Sequence, residues 1–346
     1  MTLADSLSLA GTKPAPAPVH AVSVAGLIKV YRAQGKRPGG VEKTALDRVD
    51  LDIPRGSLFA LLGPNGAGKS TTMKMITGYL TPTSGSIRVL GHDAVAEPIA
   101  AQIVIGYLPE GAPAYGDMTP RQFLEFCAEA RGLARPARKA AIERAVGLTG
   151  LGDVLEQLIE TLSKGFKRRV GLAQAILADP PVLIMDEPTD GLDPNQKHSV
   201  RQLIAKMAKN KAIVISTHIL EEVDALCTRA LIIDKGKTIA DGTPAELMAR
   251  SRYHNAVTVV IKVEQADAAR QVFRLQTGIL GHEERPAGEG RIGFTLLARP
   301  GRSIIETLIV TLREKHIDAL EYIVEQGRLD EVFRTLTSPE APQVAA

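Results

Sequence analysis

One eight-residue segment, Gly63-Pro64-Asn65-Gly66-Ala67-Gly68-Lys69-Ser70, limits what this chain can fold into more than any other. Its glycines permit backbone turns closed to bulkier residues, so successive N–H groups can converge on one anion. The apolar run Leu58–Leu62 before it reads as a buried strand, and a helix is predicted to start near Lys69. Strand, glycine-rich loop and helix, in that order, make a phosphate cradle completed by the positive end of the helix. A glycine-rich turn that binds nothing would match the pattern but not this context. In such a cradle the backbone from Gly63 to Gly68 wraps the phosphates, and Lys69 reaches the β- and γ-phosphates. The Ser70 hydroxyl serves as a Mg²⁺ ligand. Thr71 serves the α-phosphate, with Thr72 beside it in the same nucleotide-binding set.

The surrounding pattern alternates strand and helix. Ala21–Tyr31 reads as a strand and Gln34–Lys43 as a surface loop. From Thr119 to about Ala178 the period is helical, with Thr119 and Pro120 as an N-terminal cap and Phe123, Phe126 and Cys127 on one face. Val182–Met185, Ala212–Ile215 and Leu231–Ile233 read as buried strands, with helices at Asn195–Lys209 and Leu220–Cys227 between them. That order predicts a mostly parallel α/β sheet. After Ser251 the pattern changes to strand (Ala256–Val263), helix (Ala266–Leu275), strand (Arg291–Leu297), helix (Ile304–Lys315), strand (Leu320–Glu325) and short helix (Leu329–Leu336). This predicts a small α+β unit over 251–338, ferredoxin-like in outline. Pro/Ala-rich composition marks 1–20 and 339–346 as loose tails.

Composition removes several classes of function. A net charge of +3 from 42 basic and 39 acidic residues is too small a bias for a nucleic-acid binder. The group Lys167-Arg168-Arg169 reads as a solvated helix face. Cys127 and Cys227 form no metal-ligand spacing and read as buried free thiols in a reducing compartment. No run of eighteen apolar residues occurs, and the N-terminus lacks the order of a signal peptide, so a cytoplasmic location is expected.

Two further strand ends carry chemistry. Val182–Met185 runs into Asp186 and Glu187, so a strand beside the phosphate loop would present Asp186 to Mg²⁺ and Glu187 to a water near the γ-phosphate. Ile215-Ser216-Thr217-His218 repeats the pattern, and His218 is placed to hold a γ-phosphate oxygen and align Glu187. Glu187 and His218 are therefore the candidate catalytic pair.

With these residues in place, the segment Thr161-Leu162-Ser163-Lys164-Gly165-Phe166, shortly before Asp186, resembles the LSGGQ signature of ABC transporter ATP-binding subunits. Pro188-Thr189-Asp190-Gly191-Leu192-Asp193-Pro194 resembles that family's D-loop region, Tyr31 its adenine-stacking aromatic, and Tyr107-Leu108-Pro109-Glu110 its Q-loop. The resemblance covers roughly 21–250 in unbroken motif order. It implies the P-loop NTPase fold of ABC ATPases, with a parallel-sheet core, an antiparallel β subdomain and a helical subdomain. It also implies ATP and Mg²⁺ as ligands, with Ser70, Glu110 and Asp186 on the metal. Two copies would join head to tail as a homodimer, with Ser163, the Gly165 N–H and Asp193 completing the partner's ATP site. A separate integral-membrane permease would be energised from the cytoplasmic face.

Three positions depart from the common family pattern: Glu110 stands for glutamine, and Lys164 and Phe166 stand for a glycine and a glutamine. Together they are similar to a branch of ABC-2-type exporters that includes gliding-motility, copper-site-maturation and multidrug transporters. The segment from Leu320 to Thr337 is similar to the C-terminal extension of that branch, either a packing or dimer-stabilising appendage or a regulatory or partner-binding one. The alternative, a soluble ABC ATPase acting on ribosomes or DNA, is disfavoured by the single phosphate loop, the lack of room for a coiled coil between Ser70 and Asp186, and the near-neutral charge. A non-hydrolysing module is disfavoured by the intact Lys69, Asp186, Glu187 and His218. The cargo is not written in this chain. Lys69→Ala is expected to abolish tight ATP binding or turnover, read by phosphate release and titration with a fluorescent ATP analogue.

Overall fold

The computed structural model describes residues 20–32 and 42–338. The tails expected at 1–20 and 339–346 lie outside it except for His20, as does most of the loop expected at Gln34–Lys43. His20 opens the first strand, and Lys43 belongs to the second.

The chain runs β1 (His20–Arg32), β2 (Glu42–Pro54), β3 (Leu58–Leu62), α1 (Lys69–Ile76), β4 (Ser84–Val89) and β5 (His92–Asp93). It continues through α2 (Pro98–Ile103), β6 (Ile105–Leu108), α3 (Pro120–Ala130), α4 (Arg135–Thr149), α5 (Lys164–Ile176), β7 (Val182–Asp186) and α6 (Pro194–Ala208). Then come β8 (Ala212–Thr217), α7 (Leu220–Leu226), β9 (Arg229–Asp234), β10 (Lys237–Gly242) and α8 (Pro244–Met248). Strands β1, β2, β4 and β5 form an antiparallel sheet in the order β2-β1-β4-β5. A second sheet runs β10-β9-β3-β8-β7-β6, parallel except for β10.

Both faces of the second sheet are covered, which is why its strands read as unbroken apolar runs rather than alternations. Leu58, Ala60 and Leu62 turn toward the helices, together with Leu183, Met185, Ile213 and Ile215. Phe59 and Leu61 turn the other way, with Val182, Ile184 and Val214, and meet the antiparallel sheet. The helical part, α3 to α5, packs on the first of these faces. Thr119 and Gln122 form a reciprocal capping box at the start of α3. Phe123 is buried while Phe126 on the same helix is half exposed, edge-on to Tyr115. Cys227 is buried as expected, but Cys127 is only half buried. Burial pushes both thiols up, Cys127 to about 11.

The remaining elements are β11 (Val257–Lys262), α9 (Ala266–Leu275), β12 (Ile279–Pro286), β13 (Arg291–Ala298), α10 (Ile305–Glu314), β14 (Ala319–Val324) and α11 (Leu329–Thr337). The antiparallel order β12-β13-β11-β14 around a βαββαβ chain is the ferredoxin-like arrangement. Strand β12 was not foreseen, because its Gly281-His282-Glu283-Glu284-Arg285 stretch is mainly polar and partly exposed. The unit expected over 251–338 divides its packing. Residues from β11 to Ile317 share one core, whereas Leu329, Phe333 and Leu336 of α11 pack into the helical-side core of the larger body, against α7 and α8.

Gly106 on β6 shows how tightly α5 is seated. A Cβ there would meet the Ala175 carbonyl oxygen at 2.1 Å and Leu183 Cδ2 at 2.7 Å. Gly106→Ala is expected to destabilise the chain by about 1–3 kcal/mol, read as a lowered denaturation midpoint.

Candidate functional site

The carboxyl ends of β3, β7 and β8 lie along one edge of the parallel sheet, the edge where ligands gather in folds of this kind. β3 feeds the loop 63–70. Gly68 there has φ 115, and a Cβ would approach Leu46 Cδ2 to 2.5 Å and the Ala45 carbonyl to 3.0 Å, so only glycine fits. The loop is braced from outside, with Gly236 N–H donating to the Ala67 carbonyl at 2.9 Å and Asp47 N–H to that of Gly236 at 2.8 Å. Lys69 is buried, and its Nζ donates to the Gly63 carbonyl at 2.7 Å and the Pro64 carbonyl at 3.2 Å. Burial lowers the Lys69 ammonium pKa, while Glu187, Asp186 and Glu110 pull it upward.

The carboxylate strand is not the immediate neighbour of β3. β8 stands between them, pairing Leu62 with Thr217 on one side and Asp186 with Ser216 on the other. Ser216 is buried and bridges the gap: its hydroxyl donates to Asp186 Oδ1 and accepts the Glu187 N–H at 3.1 Å. Glu187 adopts φ 49, a left-handed backbone that costs a non-glycine residue about 1–3 kcal/mol. That turn brings Oε1 to 3.0 Å from His218 Nδ1, the ring nitrogen donating.

Asp186 is 2% exposed, and its Oδ2 is buried with no partner among the described residues. An unpaired buried carboxylate oxygen is costly unless a cation or donor meets it. Ser70 and Glu110 line the same cleft. Among the described residues no group of three His, Cys, Asp or Glu could hold a metal by itself. One carboxylate and a hydroxyl, with phosphates and waters supplying the rest, is the donor set that suits Mg²⁺. The residues present therefore fit that ion.

The cleft measures about 580 Å³ and is lined by Tyr31, Lys43, Thr44, Asn65, Gly66, Gly68, Lys69, Ser70, Thr71, Glu110, Asp186, Glu187 and Lys235, among others. Tyr31 is 43% exposed at the rim, with Lys29 Nζ 5.3 Å above its ring. Thr72 stands apart from the set. It is buried, with its N–H and hydroxyl both donating to the Gly68 carbonyl, at 2.9 and 3.0 Å. Ser163, Gly165 and Asp193 do not line this cleft. Ser163 and Asp193 are exposed caps, accepting the N–H of Phe166 at 3.3 Å and of Gln196 at 2.9 Å. Gly165 is buried close to Gln196.

Sequence reasoning overlooked three supporting residues. Ser216 read only as part of an apolar strand. Arg168 read as solvated, but it is 6% exposed and points inward. Lys167 beside it is half buried, with Nζ on the Glu160 carbonyl at 2.8 Å. Glu222 is buried and accepts from Thr189 at 2.5 Å, Thr217 at 3.0 Å and Arg201 at 2.9 Å, which ties the D-loop segment to the strand end that bears His218. Arg168 and Glu222 carried no distinguishing signal, because each stands among other charged residues, Lys167 and Arg169 in one case and Glu221 and Asp224 in the other. Replacing Ser216 by alanine takes the hydroxyl from both Asp186 and Glu187. It is expected to cost about tenfold in turnover, measured as released phosphate.

Comparison with known proteins agrees with this geometry. A family model described as ABC transporter matches residues 46–190. The daunorubicin/doxorubicin resistance ATP-binding protein DrrA of Streptomyces peucetius is 32% identical over 94% of both chains. The Nod factor export ATP-binding protein I of Paraburkholderia xenovorans is 32% identical over 86% of this chain and 94% of its own. A solved ATP-binding subunit of an ABC transporter superposes with a TM-score of 0.59 at 31% identity, covering 66% of this chain and 91% of that one. With such identity along nearly the whole of both chains, this protein belongs to the ABC transporter family, as one of its ATP-binding proteins.

Proposed function

We propose that the chain is the ATP-hydrolysing subunit of an exporter, working as a homodimer on the cytoplasmic face of a membrane and driving a separate permease. The observation that carries this reading is the convergence of Lys69, Asp186, Glu187 and Glu110 in one cleft, beside a large apolar groove.

In this reading the loop N–H groups and Lys69 hold the triphosphate, and Tyr31 stacks on the base. Ser70, Asp186 and Glu110 hold Mg²⁺, which when bound offsets charge on the β- and γ-phosphates. Glu187 takes the proton of the attacking water, and His218 fixes Glu187 Oε1 through its Nδ1–H. The exposed caps at Ser163 and Asp193 serve the partner's nucleotide, so each site is complete only in the closed dimer. Hydrolysis then releases the closure.

The permease contact is read from the groove. Tyr79, Ile99, Ile103, Tyr115 and Phe126 are 75%, 69%, 66%, 52% and 46% exposed along a cleft of about 1100 Å³ between α2, β6 and α3. So much exposed apolar surface in one concavity marks a partner site, and its shape suits one amphipathic helix of a membrane protein. Tyr107 and Pro109 line its floor, and Glu110 follows directly. The groove thus abuts the nucleotide cleft through one short loop. Among the described residues no helix is long and apolar enough to cross a membrane, which fits a subunit that needs such a partner. The exporter assignment is supported by the names of the relatives.

The test is affinity capture with tagged Glu187→Gln protein from host membranes in ATP and Mg²⁺. The variant is expected to bind ATP, turn over at least about a hundredfold more slowly, and bring down a polytopic membrane protein. Capture of ribosomes or DNA-bound proteins without a membrane partner would overturn the transporter reading in favour of a soluble ATPase.

A further inference from the structure

Arg168 lies on α5, one turn beyond Gly165, and its side chain leaves the helix for the interior. Nη1 donates to the Pro109 carbonyl at 3.0 Å. Nη2 donates to the carbonyls of both Asp186 and Glu187. All three acceptors are backbone atoms. They belong to the residue before Glu110 and to the two acids at the end of β7. One guanidinium therefore joins the signature helix to both segments that supply carboxylates to the nucleotide cleft.

The contact bears on Glu187 in particular. Its left-handed backbone persists only where the surroundings hold it. Ser216 holds the Glu187 N–H, and Arg168 holds the Glu187 carbonyl. The peptide groups on either side of the Glu187 side chain are thus pinned from different elements, β8 and α5. Among the described residues no carboxylate contacts the guanidinium directly, and its Nε is buried without a partner. Its charge is offset through space by Asp190, Asp186, Glu187 and Glu110. A planar fork can serve three carbonyls at once, which a single ammonium on a flexible stem cannot reproduce.

We propose that Arg168 is a positioning residue for hydrolysis: it couples the placement of the Ser163–Gly165 segment to the backbone of Glu187 and to the loop of Glu110. A neighbouring copy's nucleotide seated on that segment would then set the geometry of this copy's own carboxylates. The inference rests on the assignment of Glu187 as the base.

The test compares purified full-length wild type, R168M, R168K and E187Q by kcat, KM, affinity for a fluorescent ATP analogue and melting temperature. Assays run well below every melting point, so that only folded protein is read. In R168M, kcat is expected to fall about ten- to hundredfold, because misplacing a reacting group by about an ångström costs that much. KM and nucleotide affinity are expected to stay within about threefold, and R168K to recover part of the rate. A merely structural role would instead lower affinity and melting temperature together with kcat, and that pattern overturns the proposal. So does wild-type kcat in R168M. Should R168M fail to fold, R168K carries the test, and wild-type turnover in it overturns the three-carbonyl role. An inactive E187Q beside a fully active R168M overturns this inference alone, whereas E187Q turning over at the wild-type rate overturns it together with the base assignment.

Discussion

Strand β8 hydrogen-bonds to β3 on one side and to β7 on the other, in a register that sets Thr217 beside Leu62 and Ser216 beside Asp186. Three chain segments more than a hundred residues apart at their extremes thereby end at one level. The phosphate loop, the acidic pair and the histidine all follow from that level. A slip of one residue in β8 would turn Ser216 to the other face of the sheet and take the hydroxyl from Asp186 and Glu187. Burial on both faces enforces the register, because the apolar side chains of these strands divide between two cores, Leu62, Met185 and Ile215 on one side and Leu61, Ile184 and Val214 on the other.

Against this apolar frame the few buried polar groups are expensive, and most are met by specific partners. Lys69 is held by loop carbonyls, Arg168 by three backbone carbonyls, and Glu222 by two threonines and an arginine. Among the described residues the buried side-chain atoms left without a partner include Asp186 Oδ2, Tyr107 Oη and Arg168 Nε. The acid among them, Asp186, lines the cleft beside the phosphate loop. Binding and stability meet at this point, because a cation reaching that carboxylate would offset the cost of burying it.

The helical part is tied to the sheet by packing and by side-chain struts. α5 seats against Gly106 with no room for a methyl group, and Arg168 reaches past it to the strand ends. The open groove beside β6 and α3 shares Tyr107 and Pro109 with the approach to Glu110. A displacement of the groove floor at Tyr107 and Pro109 has a short path to the cleft. The ferredoxin-like unit lies on the far side of the chain order, yet α11 returns from it to the core beside α7, so the two bodies share apolar packing rather than a bare linker.

Much of this was legible in the amino-acid order, because the features concerned are local. The phosphate loop needs glycines in a fixed spacing between a buried strand and a helix. Buried strands such as Leu58–Leu62 and Val182–Asp186 announce themselves as continuous apolar runs, and Thr119-Pro120 as a helix start. What the sequence by itself determined was thus the buried central strands with the helices between them, the phosphate-loop motif and the family. The tertiary structure alone decided which strand lies between β3 and β7, that Thr72 spends both donors inside α1, and that Arg168 is interior rather than solvated. It alone revealed β12, whose polar residues pair at a sheet edge. These depend on backbone carbonyls and on neighbours distant in sequence. A carbonyl acceptor leaves no trace in residue type, and strand order is set by which faces bury best against each other.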